Sequence, residues 1–158
     1  AAGFEPPYYG NRTKGGEYAV AEQWHRWSTP SPELRARAAA AGETVVDHAR
    51  TSRNPSRFDL MDEVKPTEIQ DPVARRQRVA ELLARVQPGD VVTVDHPGAS
   101  GSDGGHVRVC VGRDESGRPL FAQAKQDSAH VLAEGIDDSS WETRDGIYIL
   151  RPNTPRAN

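Results

Sequence analysis

The spacing of hydrophobic residues changes from a helical to a strand-like period close to Gly89. Before this point apolar residues recur every three or four positions, and the stretch YAVAEQWHRW predicts a helix over residues 18–27. Serine followed by proline at 31–32 matches a helix N-cap with proline in the first turn. A second helix is therefore predicted from that point to Gly42.

Three further segments lie between Gly42 and the change of period. Residues 43–50 predict another short helix, whereas residues 51–70 contain two prolines and scattered charges, which favour a loop or a lid-like insert. Asp71-Pro72 repeats the cap-plus-proline start, and a helix is predicted from there to Gln87. Its apolar face consists of Val73, Val79, Leu82, Leu83 and Val86.

After Gly89 the sequence contains five short segments rich in β-branched residues and separated by Gly, Asp and Ser, which predict strands. They are residues 91–94, 106–111, 119–124, 129–133 and 146–151. Helices followed by consecutive strands are typical of the α+β class. The predicted fold is α+β, with N-terminal helices packed on a C-terminal antiparallel five-stranded sheet.

The chain of 158 residues is long enough for one domain, and two domains would each be marginally small. We therefore expect a single domain over residues 1–158. Within it, residues 1–27 form an opening loop and a helix, 28–87 a helical insert and 88–152 the β-half. The 12 prolines and 14 glycines predict a modest core with long connections.

Charge and composition narrow the classes of partner. The net charge is −3 and basic residues form no stripe, so nucleic acid is not an expected partner. No apolar run approaches the roughly 20 residues that span a bilayer, so membrane insertion is not expected. The N-terminal residues have no signal-peptide pattern, which also fits a chain whose signal peptide has been removed. A single cysteine, Cys110, excludes an internal disulfide framework.

His106 begins the second predicted strand, directly after the glycine-rich stretch HPGASGSDGG. Side chains alternate along a strand, so Val107, Val109 and Val111 are expected on the core side. His106, Arg108 and Cys110 are then expected on the other side. A histidine at such a position is either a solvated surface residue or, where a substrate or another backbone approaches the glycines, a functional one.

Cys110 and His106 do not fit a nucleophile and base pair. Four residues along one strand separate them by roughly 13 Å, whereas a pair that shares a proton needs about 3 Å. Cys110 is interpreted as a small, semi-buried strand residue.

A zinc site is a weaker hypothesis, supported only by four ligand-type residues within a short stretch: Asp95, His96, Asp103 and His106. No HExxH spacing accompanies them. Among the other histidines, His25 lies between two tryptophans and is expected to be packed or solvated. His48 and His130 have no companions in the sequence that mark them as functional.

Four segments together resemble the β-half of NlpC/P60 and CHAP-type cysteine peptidases: PGDVV at 88–92, GHVRVCVG at 105–112, LFAQA at 120–124 and GIYILRP at 146–152. In that family a PGD strand precedes a strand that carries the catalytic base, and the next strand carries a polar orienting residue. The resemblance implies a papain-like fold and a Cys–His–polar catalytic set that hydrolyses amide bonds of cell-wall peptides. By position His106 is the base and Gln123 is the orienting residue.

The same family places its nucleophile in a PYxYGG…GxDCSG pattern at the start of a helix. Here PYYG at 7–10 and GGEYAVA at 15–21 occupy that stretch, and Ala19 stands where the cysteine is expected. Ala21 is the second-best register. The resemblance further implies substrate contacts at four residues, Tyr9, Tyr18, Asp103 and Gly105, and it implies no cofactor.

Three functions follow as hypotheses from the resemblance. The first is a cysteine amidase or endopeptidase acting on peptidoglycan, secreted or periplasmic, in the role of an antibacterial effector that an immunity protein inhibits. In that case Ala19 is an engineered Cys→Ala change, which we favour because the other motif residues persist. The second is a noncatalytic binding module in which the alanine is natural. The third is an acyltransferase or deamidase toxin acting on a protein, since one thiolate chemistry serves all these reactions.

Overall fold

The fold is described from a computed structural model, which describes residues 21–66, 68–95, 105–125, 128–133 and 146–153. Its helical elements are a 3₁₀ helix η1 (Ala21–Trp27) and the α-helices α1 (Pro32–Ala40), α2 (His48–Ser52) and α3 (Pro72–Ala84). Its strands are β1 (Ser28–Pro30), β2 (Phe58–Val64), β3 (Val91–Asp95), β4 (Gly105–Arg113), β5 (Pro119–Lys125), β6 (Ser128–Ala133) and β7 (Gly146–Pro152).

Side-chain caps fix where the helices begin. The hydroxyl of Ser31 accepts a hydrogen bond from Leu34 N, and Asp71 accepts one from Ala74 N, so both predicted cap-plus-proline starts are confirmed. The short helix predicted over 43–50 begins later, at His48, because Asp47 is its N-cap. The described part of the helix predicted over 18–27 is a 3₁₀ helix.

The described strands form one seven-stranded sheet in the order β1-β2-β7-β3-β4-β5-β6. Strands β3 to β6 are consecutive antiparallel neighbours, and β7 returns to lie between β3 and β2. All five predicted strands are present. The prediction of five antiparallel strands is nevertheless wrong, because β2 and β1 extend the sheet beyond β7 and β1 runs parallel to β2. The α+β class itself is confirmed.

Strand β2 lies within residues 51–70, for which the sequence predicted a loop or lid. It is a largely buried strand between β1 and β7, although three of its seven residues are acidic. Two of these carboxylates, Asp62 and Glu63, lie in the interior and are paired with basic side chains of other elements. Burial of a charge is tolerated only when it is paired, and this pairing is tertiary, so the local pattern concealed the strand. The segment 28–87 is therefore not solely helical.

Helices cover the sheet on two faces, which we name by the element packed on each. The α3 face has a core formed by Val64, Val79, Leu82, Leu83, Val86, Val92, Val94, Cys110, Phe121, Ile147 and Ile149. The η1 face has a second core formed by Trp27, Leu34, Phe58, Leu60, Val91, Tyr148 and Leu150. Alternate residues of β3 and β7 contribute to opposite faces, as the strand period requires. Both faces of the central strands are therefore buried.

The expected division of β4 into core valines and outward polar residues is wrong. Cys110 is 1% exposed and belongs to the core of the α3 face, whereas Val109 and Val111 are 39% and 49% exposed. Of the three valines, only Val107 packs against the core of the η1 face. The register also shifts between Cys110 and Gly112, where β4 contains a bulge.

Candidate functional site

A row of polar side chains crosses the η1 face of the sheet. Tyr148 on β7 lies opposite Glu63 on one side and opposite Thr93 on the other. Residues opposite each other in a ladder project to the same face, so these three side chains are neighbours. All three are buried, with exposed fractions below 9%. Strand pairing alone thus brings together groups separated by up to 85 positions in the sequence.

His48 completes a hydrogen-bonded pair with this row. Its Nε2 lies 3.0 Å from Glu63 Oε2, and the two side chains are 16% and 8% exposed. His48 is the first residue of α2, whose N-cap Asp47 also accepts a hydrogen bond from Thr29 on β1. The capping interaction therefore fixes the position of the imidazole relative to the sheet.

His25 from η1 packs over the same group. Its ring stacks on Tyr148 with 4.3 Å between centroids and an interplanar angle of 11°. The ring also meets His48 edge-on at 5.1 Å. We refer to His25, His48, Glu63 and Tyr148 as the histidine cluster. It contains two imidazoles, a carboxylate and a phenol, which are all groups that transfer protons.

The phenol of Tyr148 is protonated at neutral pH, and its pKa is raised. Burial raises its pKa well above the ordinary value of 10, and the nearby carboxylate of Glu63 raises that pKa further. A neutral phenol beside a carboxylate and an imidazole is a hydrogen-bond donor. The backbone close to it is tight, because a Cβ placed on Gly146 would lie 3.1 Å from Tyr148 Oη.

The His48–Glu63 pair has the arrangement of a general base and its orienting group. A carboxylate bonded to one imidazole nitrogen fixes the tautomer and leaves the other nitrogen to accept a proton. Glu63 holds this relation to His48, and Tyr148 supplies a donor for developing negative charge. Thr93 Oγ1 in the same row is buried and has no hydrogen-bond partner within the described part of the chain. The cluster therefore combines a base, its orienting group and a hydrogen-bond donor.

A cavity of about 570 Å³ opens beside Glu63, between α1, β2 and α3. At its wall Asp62 is fully buried and pairs with Arg37, Arg78 and Arg85 at 3.1, 2.7 and 3.0 Å. The cavity lies within the range of ligand pockets. Glu63 lines it while bonding His48, so the cavity and the histidine cluster share this carboxylate.

The residues that the sequence singled out are only partly brought together. His106 is half-buried at the start of β4 and follows Gly105, while Gln123 belongs to the adjacent strand β5. The other four, Ala19, Tyr9, Tyr18 and Asp103, lie outside the described residues.

His106 and η1 belong to opposite faces of the sheet. His106 pairs with Val94, whose side chain is in the core of the α3 face, so His106 projects to that face as well. The tryptophans of η1, Trp24 and Trp27, pack on the other face. A nucleophile at the start of η1 would have the histidine cluster on its own side of the sheet and His106 on the far side.

Cys110 has the properties of a core residue. Its thiol is buried, and burial raises its pKa above 9.0, which disfavours the nucleophilic thiolate. The prediction of a packed strand residue is confirmed, although Cys110 is more deeply buried than expected.

Two ligands of the hypothetical zinc site, His96 and Asp103, lie outside the described residues. Among the residues that are described, no three His, Cys, Asp or Glu side chains are grouped to hold a metal ion. In the same part of the chain, no helix has the length and hydrophobicity needed to cross a bilayer.

Sequence reasoning missed the histidine cluster. His25 was interpreted as packed or solvated and His48 as lacking companions, because their partners are distant in the sequence. The one local signal was the Asp62-Glu63 pair in a segment that also contains four large apolar residues, where a buried strand would require partners for both charges.

Comparison of the chain with family profiles, with curated proteins and with solved structures gives no significant match.

Proposed function

We propose that this protein is an amide hydrolase of the papain-like NlpC/P60 type that acts on peptide or amide bonds of peptidoglycan. The alanine at position 19, or at position 21, replaces its nucleophilic cysteine. His48, oriented by Glu63, is its general base in place of His106. The observation that carries the proposal is the His48–Glu63 pair at 3.0 Å on the sheet face that η1 covers.

The position of η1 supports the choice of base. A nucleophile and its base must approach to about 3 Å when substrate is bound, so both must lie on one side of the sheet. Ala21 is the first residue of η1, and His25 of the same helix contacts both His48 and Tyr148. His106 projects from the opposite face. Position 21 therefore belongs to the element that packs on the histidine cluster.

Strand order supports the resemblance itself. The strand that follows PGD is adjacent to the strand that carries His106, and the strand that carries Gln123 comes next. This is the succession that the family pattern implies. The proposal keeps the family's thiol chemistry and transfers only the role of base. An enzyme with this substrate would be secreted or periplasmic, and an inhibitor or immunity protein would be a natural partner.

Restoring the cysteine tests the proposal directly. Purified Ala19→Cys and Ala21→Cys proteins are incubated with peptidoglycan, and new amine termini and fragments are measured by amine labelling and mass spectrometry. We expect one of the two to release fragments while the alanine protein releases none. Absence of release by both variants would contradict the hydrolase proposal.

A second substitution in the active cysteine variant identifies the base. His48→Ala should abolish release, whereas His106→Ala should leave most of it, and Glu63→Gln should lower kcat more than it changes KM. If His106→Ala abolished activity and His48→Ala did not, the base would be His106, as the family pattern implies.

Mass spectrometry of a protein substrate would distinguish deamidation or acyl transfer from hydrolysis.

Alanine at both position 19 and position 21 favours one second candidate, a noncatalytic module that binds a peptidoglycan peptide or a partner protein in the same cleft. It predicts that neither cysteine variant cleaves peptidoglycan and that the alanine protein binds muropeptides in calorimetry. The natural gene would then encode alanine at both positions.

A further inference from the structure

The cavity beside Glu63 has an ordered group of cations on one wall. The buried carboxylate of Asp62 receives Arg78 through both terminal nitrogens, at 2.7 and 3.2 Å, and receives one nitrogen each from Arg37 and Arg85. One carboxylate thus holds three guanidinium groups that are 28% to 42% exposed. The wall has more positive charge than Asp62 neutralises.

These arginines retain donors for a ligand. Within the described part of the chain, Arg37 and Arg85 each use a single terminal nitrogen in their hydrogen bonds. Each guanidinium has five N–H donors arranged to meet the two oxygens of a carboxylate. Because Asp62 already holds these side chains, a ligand would lose little free energy in ordering them.

Acidic side chains balance the basic side chains in the cavity lining. The lining contains five acidic and four basic side chains, so its formal charge is −1. Three of the acidic residues, Glu43, Glu68 and Glu81, are exposed. A polyanion such as a nucleotide would meet these carboxylates as well as the arginines, whereas an ammonium group would pair with them.

Apolar side chains separate the charged groups. Leu34 and Ala38 are buried residues of α1 in the lining, and Val45 and Ile69 are half-buried. A volume of about 570 Å³ lies within the range of pockets that hold small molecules.

We propose that this cavity binds a zwitterionic ligand of the amino acid or short peptide class. The free carboxylate of the ligand binds Arg37 and Arg85, and its ammonium group pairs with the exposed glutamates of the cavity lining. Asp62 is a positioning residue that keeps the arginines in place. The cavity shares Glu63 with the histidine cluster, but binding requires no nucleophile and is measured on the chain with alanine at positions 19 and 21, so its failure is distinguishable from failure of the proposed hydrolysis.

The test is a titration of the ¹⁵N-labelled protein with the dipeptide Ala-Ala, followed by NMR of the backbone and of the arginine Nε–H groups. We expect saturable shifts for Arg37, Arg85 and neighbouring cavity residues. N-acetyl-Ala-Ala and Ala-Ala-amide lack one charge each. Their affinity should be lower than that of Ala-Ala by at least about tenfold, since each loses a charge-assisted contact. Inorganic phosphate should cause no saturable shift at the cavity.

Matched variants locate the site. Arg37→Gln and Arg85→Gln should each weaken Ala-Ala binding by about tenfold. Two arginines remain on Asp62 in each variant, and an unchanged melting temperature would verify the fold. Arg118→Gln is the control, because Arg118 pairs with Asp114 in an exposed turn and should leave binding unchanged. Equal binding of the blocked peptides, equal binding of phosphate, or no saturable shift with Ala-Ala would each overturn the proposal.

Discussion

Tyr148 lies directly opposite Glu63 in the β2–β7 ladder, so a buried phenol and a buried carboxylate share one face of the sheet. Burial and this carboxylate both raise the pKa of Tyr148. Each effect disfavours the phenolate, because negative charge would be created in a desolvated site beside another negative charge. The protonation of the Tyr148 phenol is therefore linked to the stability of the whole domain.

Tyr148→Phe should remove part of the alkaline instability of the protein. In the unfolded chain Tyr148 ionises near pH 10, whereas in the folded chain it stays protonated, so stability is unaffected below pH 10 and falls above it. Between pH 10 and 11 the free energy of unfolding of the wild type should fall faster than that of Tyr148→Phe, by up to about 1.4 kcal/mol per pH unit. Urea unfolding followed by tryptophan fluorescence measures both slopes. Parallel curves would contradict a raised pKa.

Gly146→Ala should destabilise the protein although its backbone is that of an ordinary strand. The added Cβ would lie 3.0 Å from the ring of Pro66 and 3.1 Å from Tyr148 Oη. Overpacking of this kind costs about 1–3 kcal/mol, which urea unfolding measures. Gly112→Ala is the matched control, since a Cβ on Gly112 meets nothing within 4 Å. Equal stability of the two variants would show that the contact with Pro66 relaxes without cost.

Asp62→Asn should be strongly destabilising, because it leaves three arginines around a neutral buried side chain. Leaving a charge buried without its partner typically costs about 3–5 kcal/mol, and the cost here should lie at or below the lower end because the three arginines are 28% to 42% exposed. Asp114→Asn removes an exposed pair with Arg118 and should have a far smaller effect. Thermal and urea unfolding compare the two. If Asp62→Asn were as stable as Asp114→Asn, the arginines would not depend on Asp62 for their order.

Cys110 should be unreactive in the folded protein. Its thiol is buried and burial raises its pKa, so both access and thiolate formation are suppressed. Ellman's reagent reports this residue alone, since the chain has a single cysteine. Reaction should be slow in buffer and fast in denaturing urea. In the double variant Cys110→Ala/Val109→Cys the new thiol occupies a position that is 39% exposed in the wild type, and it should react quickly without urea. Rapid reaction of the wild type would contradict the burial.

The helix starts and the five C-terminal strands follow from local chemistry and were predictable. Ser31 and Asp71 cap their helices with their own side chains, and the alternation of β-branched residues is visible without tertiary contacts. Strand β2 was not predictable in this way, because the charges of Asp62 and Glu63 are compensated by residues of α1, α2 and α3. Likewise, the burial of Cys110 depends on α3 packing across the sheet.

The sequence alone established an α+β chain, the places where α1 and α3 begin, and a histidine at the start of β4, because each depends on interactions between residues close together along the chain. The order of the strands, the face to which His106 points and the meeting of His48 with Glu63 depend on contacts between distant segments. Those contacts are made by burial of apolar surface and by pairing of charges removed from water, and a short segment of sequence does not show which distant residues are the partners. The candidate site therefore arises from tertiary packing. Its histidines have no distinguishing feature in the local sequence.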